Sequence, residues 1–330
     1  MRFGPILVKD ACGSVLAHSV ALSKGRLRKG HVLGIADLAS LKDAGHAEVI
    51  VARLDSGDVD ENAAADVLAD ALMADANGLR RTNAFTGRVN LIADGPGVAV
   101  LNVAALEAAN AVDPMITIAT VPPMLQMAEG GMVATIKIIA YAVGQAALEQ
   151  AADAARGAIR VAQPVLKDAT LIITEIPGGA GDKGRVAIEN RLTALGVALN
   201  SVQMVPHRTD ALSAAIAASN SPLVLILTGS ATSDIKDVGP LALAQAGGHI
   251  ERFGMPVDPG NLLFLGHKGS QIVIGLPGCA RAPALNGADW VLSRVVCGID
   301  VTARDIAAMG VGGLLKEIPT RPQPRNRPPK

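Results

Sequence analysis

Hydrophobic and polar positions follow one rhythm up to about Lys167 and a more regular one beyond it. Past that point short apolar runs alternate with segments of helical period. The spacing predicts a strand at Ala169 to Thr174, a helix from about Val186 to Leu195 and a strand at Val197 to Val205. A helix at Thr209 to Ala218 and a strand at Leu223 to Leu227 follow. Five apolar residues without interruption, Leu223 to Leu227, are what a strand buried on both faces requires. The run stops at Thr228-Gly229-Ser230 and gives way to small residues and hydroxyls through Asp237. Pro240 and Leu241 to Ala246 then predict a helix ending at Gly247-Gly248. Strands are expected near His249 to Met255, Leu262 to Gly266 and Gln271 to Gly275, and Leu276-Pro-Gly-Cys279 leads into a helix ending near Val296. Strands alternating with helices of this length indicate a three-layer α/β domain, placed at residues 166–298.

Residues 1–165 read as a mixed α+β region. Short strands are expected at Ser14 to His18 and His31 to Gly34, with the basic turn Lys24 to Gly30 between them as a solvated hairpin tip. A helix from Ala36 to Ala44 closed by Gly45 precedes a strand at Glu48 to Leu54. Asp58-Val-Asp-Glu-Asn62 offers capping side chains to a helix from Ala63 to Met73 that ends near Asn77-Gly78. Strands at Thr86 to Ala93 and Val98 to Asn102 are joined by the turn Asp94 to Gly97. Further strands are expected at Met115 to Val121 and Met132 to Val143, then a helix from Gly144 to Ile159. Residues 299–330 form a C-terminal extension whose end, Pro319 to Lys330, has the Pro/Arg-rich composition of a linker.

Composition narrows the chemistry. Half of the residues are hydrophobic but only 2% are aromatic, so the core must be aliphatic. Lys+Arg and Asp+Glu both total 30, which argues against a general nucleic-acid binder. Cys12, Cys279 and Cys297 lack C-x-x-C spacing and read as reduced, structural residues of a cytoplasmic protein. The amino-terminal apolar run is too short for a signal peptide, and no segment approaches the roughly 18 apolar residues of a membrane span.

The Gly-rich loop Pro177 to Gly184, with Lys183 and Arg185 beside it, lacks both G-K-[ST] and G-x-G-x-x-G. No H-E-x-x-H, Cys/His cluster or G-x-S-x-G is present. Candidate acids at loop ends are Glu175, Asp182, Asp210, Asp234, Asp237 and Asp258. Asp182 and Asp210 read as helix caps, whereas Asp237, with Asp234 beside it, is placed to hold a divalent cation next to a phosphate. The strand–loop–helix at 222–246 is the arrangement that sets ligands at the carboxyl end of a parallel sheet, and a tight connection with no ligand gives the same pattern.

The run from Leu171 to Val295 resembles the molybdopterin-binding domain shared by molybdopterin adenylyltransferases and molybdopterin molybdotransferases. That family ends a strand in T-G-G and carries an Asp seven positions after the second Gly; Thr228, Gly229 and Asp237 match, with Ser230 at the second Gly. Leu276-Pro277-Gly278 matches a late L-P-G from which a helix starts, Pro259-Gly260 an earlier P-G, and Asn190 an Asn on the first helix. Gly13 to Val51 is similar to part of a molybdotransferase chain. The whole chain most resembles the molybdopterin-binding module found beside cytidylyltransferase-like domains in bacteria. Two further departures stand out: V-P-D of the active enzymes is Val205-Pro206-His207 here, and Asp258 stands where molybdotransferases have Lys.

The resemblance implies a molybdenum-cofactor biosynthesis or delivery protein that binds molybdopterin or its nucleotide form at 228–237. The pterin phosphate would meet the N–H groups of Gly229 to Thr232, with hydroxyls from Thr228, Ser230 and Ser233 and with Glu175, Asn190, Pro259, Gly260, Pro277 and Gly278 around it. If catalysis survives, Asp237 would hold Mg²⁺ for nucleotidyl or molybdate transfer, with Asp234 beside it. The alternatives are a non-enzymatic carrier for a nucleotidyltransferase or molybdoenzyme partner, and a nucleotide pyrophosphatase on the same fold. The family's habit and an alanine-rich surface imply a homo-oligomer.

Overall fold

Strand residues in the second half of the chain divide strictly between two apolar layers. The computed structural model describes residues 1–74 and 78–315. By internal contacts the chain forms two units. One comprises Met1–Gly95, Ala99–Pro123 and Glu129–Val161, and the other Pro96–Val98, Met124–Ala128 and the chain from Ala162 onward.

In the second unit six strands form one sheet in the order Ala198–Pro206, Asp168–Glu175, Leu223–Leu227, Gln271–Leu276, Phe264–Lys268, His249–Phe253. The first four pair parallel, and Phe264–Lys268 pairs antiparallel with both of its neighbours. Alternate side chains point to opposite faces of a strand. Leu223, Leu225 and Leu227, with Leu171 and Ile173, meet Ile188 and Leu192 of the Arg185–Thr193 helix, Val291 and Leu292 of Gly287–Val296, and Ile306 of Ala303–Ala308. Trp290 packs, partly buried, on this layer. Val224, Ile226 and Ile172 meet Leu212 and Ile216 of Thr209–Ala218 and Ala242 and Leu243 of Val238–Gln245 on the other face. All five residues of Leu223–Leu227 are fully buried. Each such aliphatic side chain contributes about 1.5–3 kcal/mol relative to exposure. The α/β class and the helix–sheet–helix layering follow from this continuous apolar run.

The connections set the site. From Asp168–Glu175 the chain passes through the Arg185–Thr193 helix to Ala198–Pro206 on one side. It returns through Thr209–Ala218 to Leu223–Leu227 on the other side. The loops 176–184 and 228–237 therefore leave neighbouring strands in opposite directions, which opens a crevice at the carboxyl edge.

In the first unit Glu48–Arg53 pairs antiparallel with Arg2–Leu7 and with Val15–Leu16. Val49 and Val51 join Leu16, Leu33 and Leu41 in a small core under the Ile35–Asp43 helix. A second antiparallel sheet, in the order Ile116–Thr120, Met132–Ile138, Arg88–Ala93, Leu79–Arg81, carries the Glu61–Leu72 helix. Asp60 caps that helix by accepting the Asn62 and Ala63 N–H groups at 3.0 and 3.2 Å, as the Asp58–Asn62 cluster predicts. Tyr141 donates its hydroxyl proton to the Ala17 carbonyl at 2.9 Å.

Several elements depart from the sequence reading. His31 to Gly34 is no strand beyond one bridge, Val15 to Val32, because it is drawn into the next helix start. Asp37 accepts there from the Gly34 N–H and lies 2.8 Å from His31 Nε2. The strand expected through Val143 breaks after Ile138 and resumes as Ala142–Gly144. The helix expected to reach Ile159 stops at Ala154, with Gly157 at φ +64° turning the chain into the strand Ile159–Ala162. Arg88–Ala93 does not pair with Gly97–Leu101 across their turn; it bonds to Met132–Ile138 and Leu79–Arg81. Helix Glu61–Leu72 ends before Asn77, which lies outside the described residues, as does the tail from Pro319. Cys12 and Cys279 are exposed and only Cys297 is buried, so burial as a structural residue holds for one of the three. Among the described residues no helix is long and apolar enough to cross a membrane.

Two measurements check this packing. Phe264 faces Gly275 across the strands, and a Cβ on Gly275 would fall 1.9 Å from the ring. Gly275→Ala is expected to destabilise the second unit by about 1–3 kcal/mol through overpacking, read as a lower urea midpoint. Burial pushes the Cys297 thiol up to about 11. Titration with a disulfide reagent at mildly alkaline pH should therefore modify Cys12 and Cys279 in the native protein, and Cys297 only after unfolding.

Candidate functional site

Thr174, the penultimate residue of Asp168–Glu175, fastens three loops together at the carboxyl edge. Its side chain is buried, its Oγ1 accepts the Gly229 N–H at 2.9 Å, and Oγ1 lies 2.7 Å from His207 Nδ1. The His207 N–H donates to the Glu175 carbonyl at 2.9 Å, extending the strand pairing by one step. A Cβ at position 229 would lie 2.7 Å from the Thr174 carbonyl oxygen. Glycine is needed there for the close approach of two backbones.

Within the next loop, the Thr228 hydroxyl donates to the Ser230 carbonyl at 2.7 Å and lies 3.2 Å from Thr232 Oγ1. Both threonines are buried, so their hydroxyls brace the turn rather than face a ligand. The Gly229 N–H, expected to meet a phosphate, is taken by Thr174. Ser230 and Ser233 are exposed. Among the described residues the main-chain N–H groups of Ser230, Ala231 and Thr232 have no protein acceptor. Three consecutive unpaired main-chain donors of this kind are available to an anion.

Asp237 caps the Val238–Gln245 helix: Oδ1 accepts the Val238 N–H at 2.7 Å and Oδ2 the Ser233 N–H at 3.1 Å. Asp234 Oδ1 accepts the Lys236 N–H at 2.7 Å. Both carboxylates are occupied in shaping the loop. Among the described residues no group of three or more His, Cys, Asp or Glu side chains is placed to hold a metal. His207, where the resemblance implies an acid, is a nitrogen donor already tied to Thr174. This donor set does not fit Mg²⁺, a hard ion that requires oxygen ligands in near-octahedral array.

Arg281, which carried no signal in the sequence, closes the site. It follows Pro277-Gly278 on a short 3-10 turn, Gly278–Arg281, and donates to the Thr228 carbonyl at 2.8 Å and to the Lys183 carbonyl at 2.6 Å. Gly184, at φ +103°, permits this approach, since a Cβ there would lie 2.8 Å from the Arg281 side chain. Among the described residues no carboxylate pairs with Arg281. Burial lowers its pKa, the mark of a charge held partly out of water.

The remaining predicted residues are spread more widely. L-P-G starts the 3-10 turn and not the α-helix, which begins at Gly287 under the Asn286 cap. Pro277 is buried and Gly278 exposed at the same edge, and Glu175 is exposed at its strand end. Pro259 and Gly260 are buried and seat that later helix. Pro259 accepts the Gly287 N–H at 2.8 Å, and a Cβ on Gly260 would lie 2.9 Å from Gly287. Asn190 lines a cavity of about 210 Å³ with Ala187, Pro283 and Leu292, a set that shares no residue with the 228–237 loop. Its neighbour Arg191 uses every donor: Nε–H to Asp289, and the terminal nitrogens to the carbonyls of Ala187, Ala280, Ala282 and Ala284. The guanidinium thereby fixes the segment that presents Arg281.

Lysine cannot reproduce that planar fork. Arg191→Lys is expected to cost about 1–3 kcal/mol of stability, measured by chemical denaturation, because the Asp289 carboxylate and several carbonyls lose charged hydrogen bonds.

Comparisons with known proteins add little to this geometry. Residues 5–53 match a family model described as a domain of unknown function (DUF8806). No curated protein matches the chain. Among solved structures, the molybdopterin biosynthesis MoeA protein from Pyrococcus horikosii aligns over 92% of this chain and 75% of its own, at 12% identity and a TM-score of 0.29. An overlap of that size bears on neither activity nor ligand.

Proposed function

We propose that this protein binds molybdopterin, or its nucleotide form, by the phosphate end at the carboxyl edge of the six-stranded sheet. It would thus serve molybdenum-cofactor biosynthesis or delivery. The observation that carries the reading is the row of Ser230, Ala231 and Thr232 N–H groups without protein acceptors, at the point where the strand order reverses. Backbone donors at such a crevice suit a phosphate. The T-G-S loop, the P-G and L-P-G elements and the resemblance they carry supply the pterin.

Of the two roles open to such a binder, carrier fits this chain better than transferase. Asp237 and Asp234 accept backbone N–H groups, and His207 replaces the acid that active relatives use. On this reading a nucleotidyltransferase or a molybdoenzyme is the receiving partner.

Titrating the purified chain anaerobically with molybdopterin and following pterin fluorescence is expected to give saturable binding. Gly229→Val should weaken it by about tenfold or more, equivalent to about 1.4 kcal/mol, by forcing the 228–232 loop away from Thr174. No saturable binding by the unmodified chain would remove the reading. A dinucleotide product on adding ATP or CTP with Mg²⁺ would replace carrier by transferase.

A further inference from the structure

We propose that this site neutralises its phosphate without a divalent cation, through the Arg281 guanidinium and an N–H of His207. The inference rests on the molybdopterin reading only for the identity of the phosphate's owner.

The two groups stand at the ends of one continuous set of contacts. Arg281 holds the Thr228 carbonyl, the next residue's N–H binds Thr174 Oγ1, and Thr174 Oγ1 meets His207 Nδ1. Thr174 has one hydroxyl proton. With Gly229 donating to its oxygen, that proton can go to Nδ1, which places the ring proton of a neutral His207 on Nε2. In that arrangement threonine orients the ring, and the imidazole is a donor where the related enzymes keep an acid. A carboxylate at that position attracts Mg²⁺ and repels a bare phosphate; an imidazole N–H does the reverse.

Arg281 supplies the charge. Two of its N–H groups bind carbonyls, and its Nε–H and one proton on each terminal nitrogen have no acceptor among the described residues. A half-buried guanidinium without a counter-ion carries a desolvation cost that an incoming anion offsets. Arginine also presents planar paired donors that match phosphate oxygens. The acids on the loop do not compete for it: Asp237 and Asp234 are turned to backbone N–H groups, and Asp237 sits against the positive end of the helix it caps. The Ser230 to Thr232 amides lie on the segment between Arg281's anchor at Thr228 and the helix cap. One phosphate there would meet neutral amides and a fixed positive charge.

The test is calorimetric titration of the full chain with inorganic pyrophosphate, in EDTA and again in excess MgCl₂. Affinities agreeing within about threefold are expected. Arg281→Gln should weaken binding by about tenfold or more and His207→Phe by a smaller factor, with circular dichroism unchanged. Arg281→Lys should recover part of the loss. Binding that vanishes in EDTA overturns the inference on the unmodified chain alone, whatever the variants do. So does a folded Arg281→Gln that binds as the wild type does, or pyrophosphate that fails to bind in either buffer. Molybdopterin binding that survives any of these results leaves the proposed function standing. Metal-independent pyrophosphate binding without molybdopterin binding removes that function and leaves the anion site.

Discussion

The approach of two backbones at Gly229 and Thr174 is the constraint from which the site follows. Leu223–Leu227 is buried on both faces, so its register against Asp168–Glu175 is fixed by side chains that cannot reach water on either side. Leu227 pairs with Ile173, so Thr174 and Glu175 run on beside residues 228 and 229, and both loops leave from one crowded line. A residue without Cβ, a buried hydroxyl to take its N–H and a threonine to brace the turn are what that crowding demands. The unpaired amides of Ser230 to Thr232 are its by-product, and they are the part that a ligand can use.

Positive charge reaches this edge from an unexpected direction. The loop before the Arg185–Thr193 helix carries Lys183 and Arg185, yet the arginine that touches the strand-end loop comes from the turn after Gln271–Leu276. Arg191 holds that turn from below by saturating carbonyls at 280, 282 and 284. One arginine is spent on architecture so that another can be presented.

The architecture was legible in the sequence where the apolar pattern had a single solution. Leu223–Leu227 and Thr209–Ala218 fall where the pattern puts them, because a five-residue apolar run and an alanine-rich helical period admit few alternatives. The failures have local causes: Gly157 ends a helix that alanine content alone would prolong, and a capping aspartate, Asp37, pulls His31 to Gly34 out of a strand. At the site, the T-G-S loop was visible as a motif, but the direction of each group was not. Whether Asp237 looks at a metal or at its own helix depends on the N–H groups of Ser233 and Val238, a geometry that residue spacing does not encode. Arg281 was invisible for the same reason, since only the fold brings it to Thr228.

The aliphatic core has an optical consequence. The single tryptophan, Trp290, packs against one apolar layer of the carboxyl-terminal unit, and the single tyrosine, Tyr141, is bonded to Ala17 in the other. Each unit thus carries one native chromophore of its own, and indole and phenol emission can report separately whether the two halves melt together or in sequence.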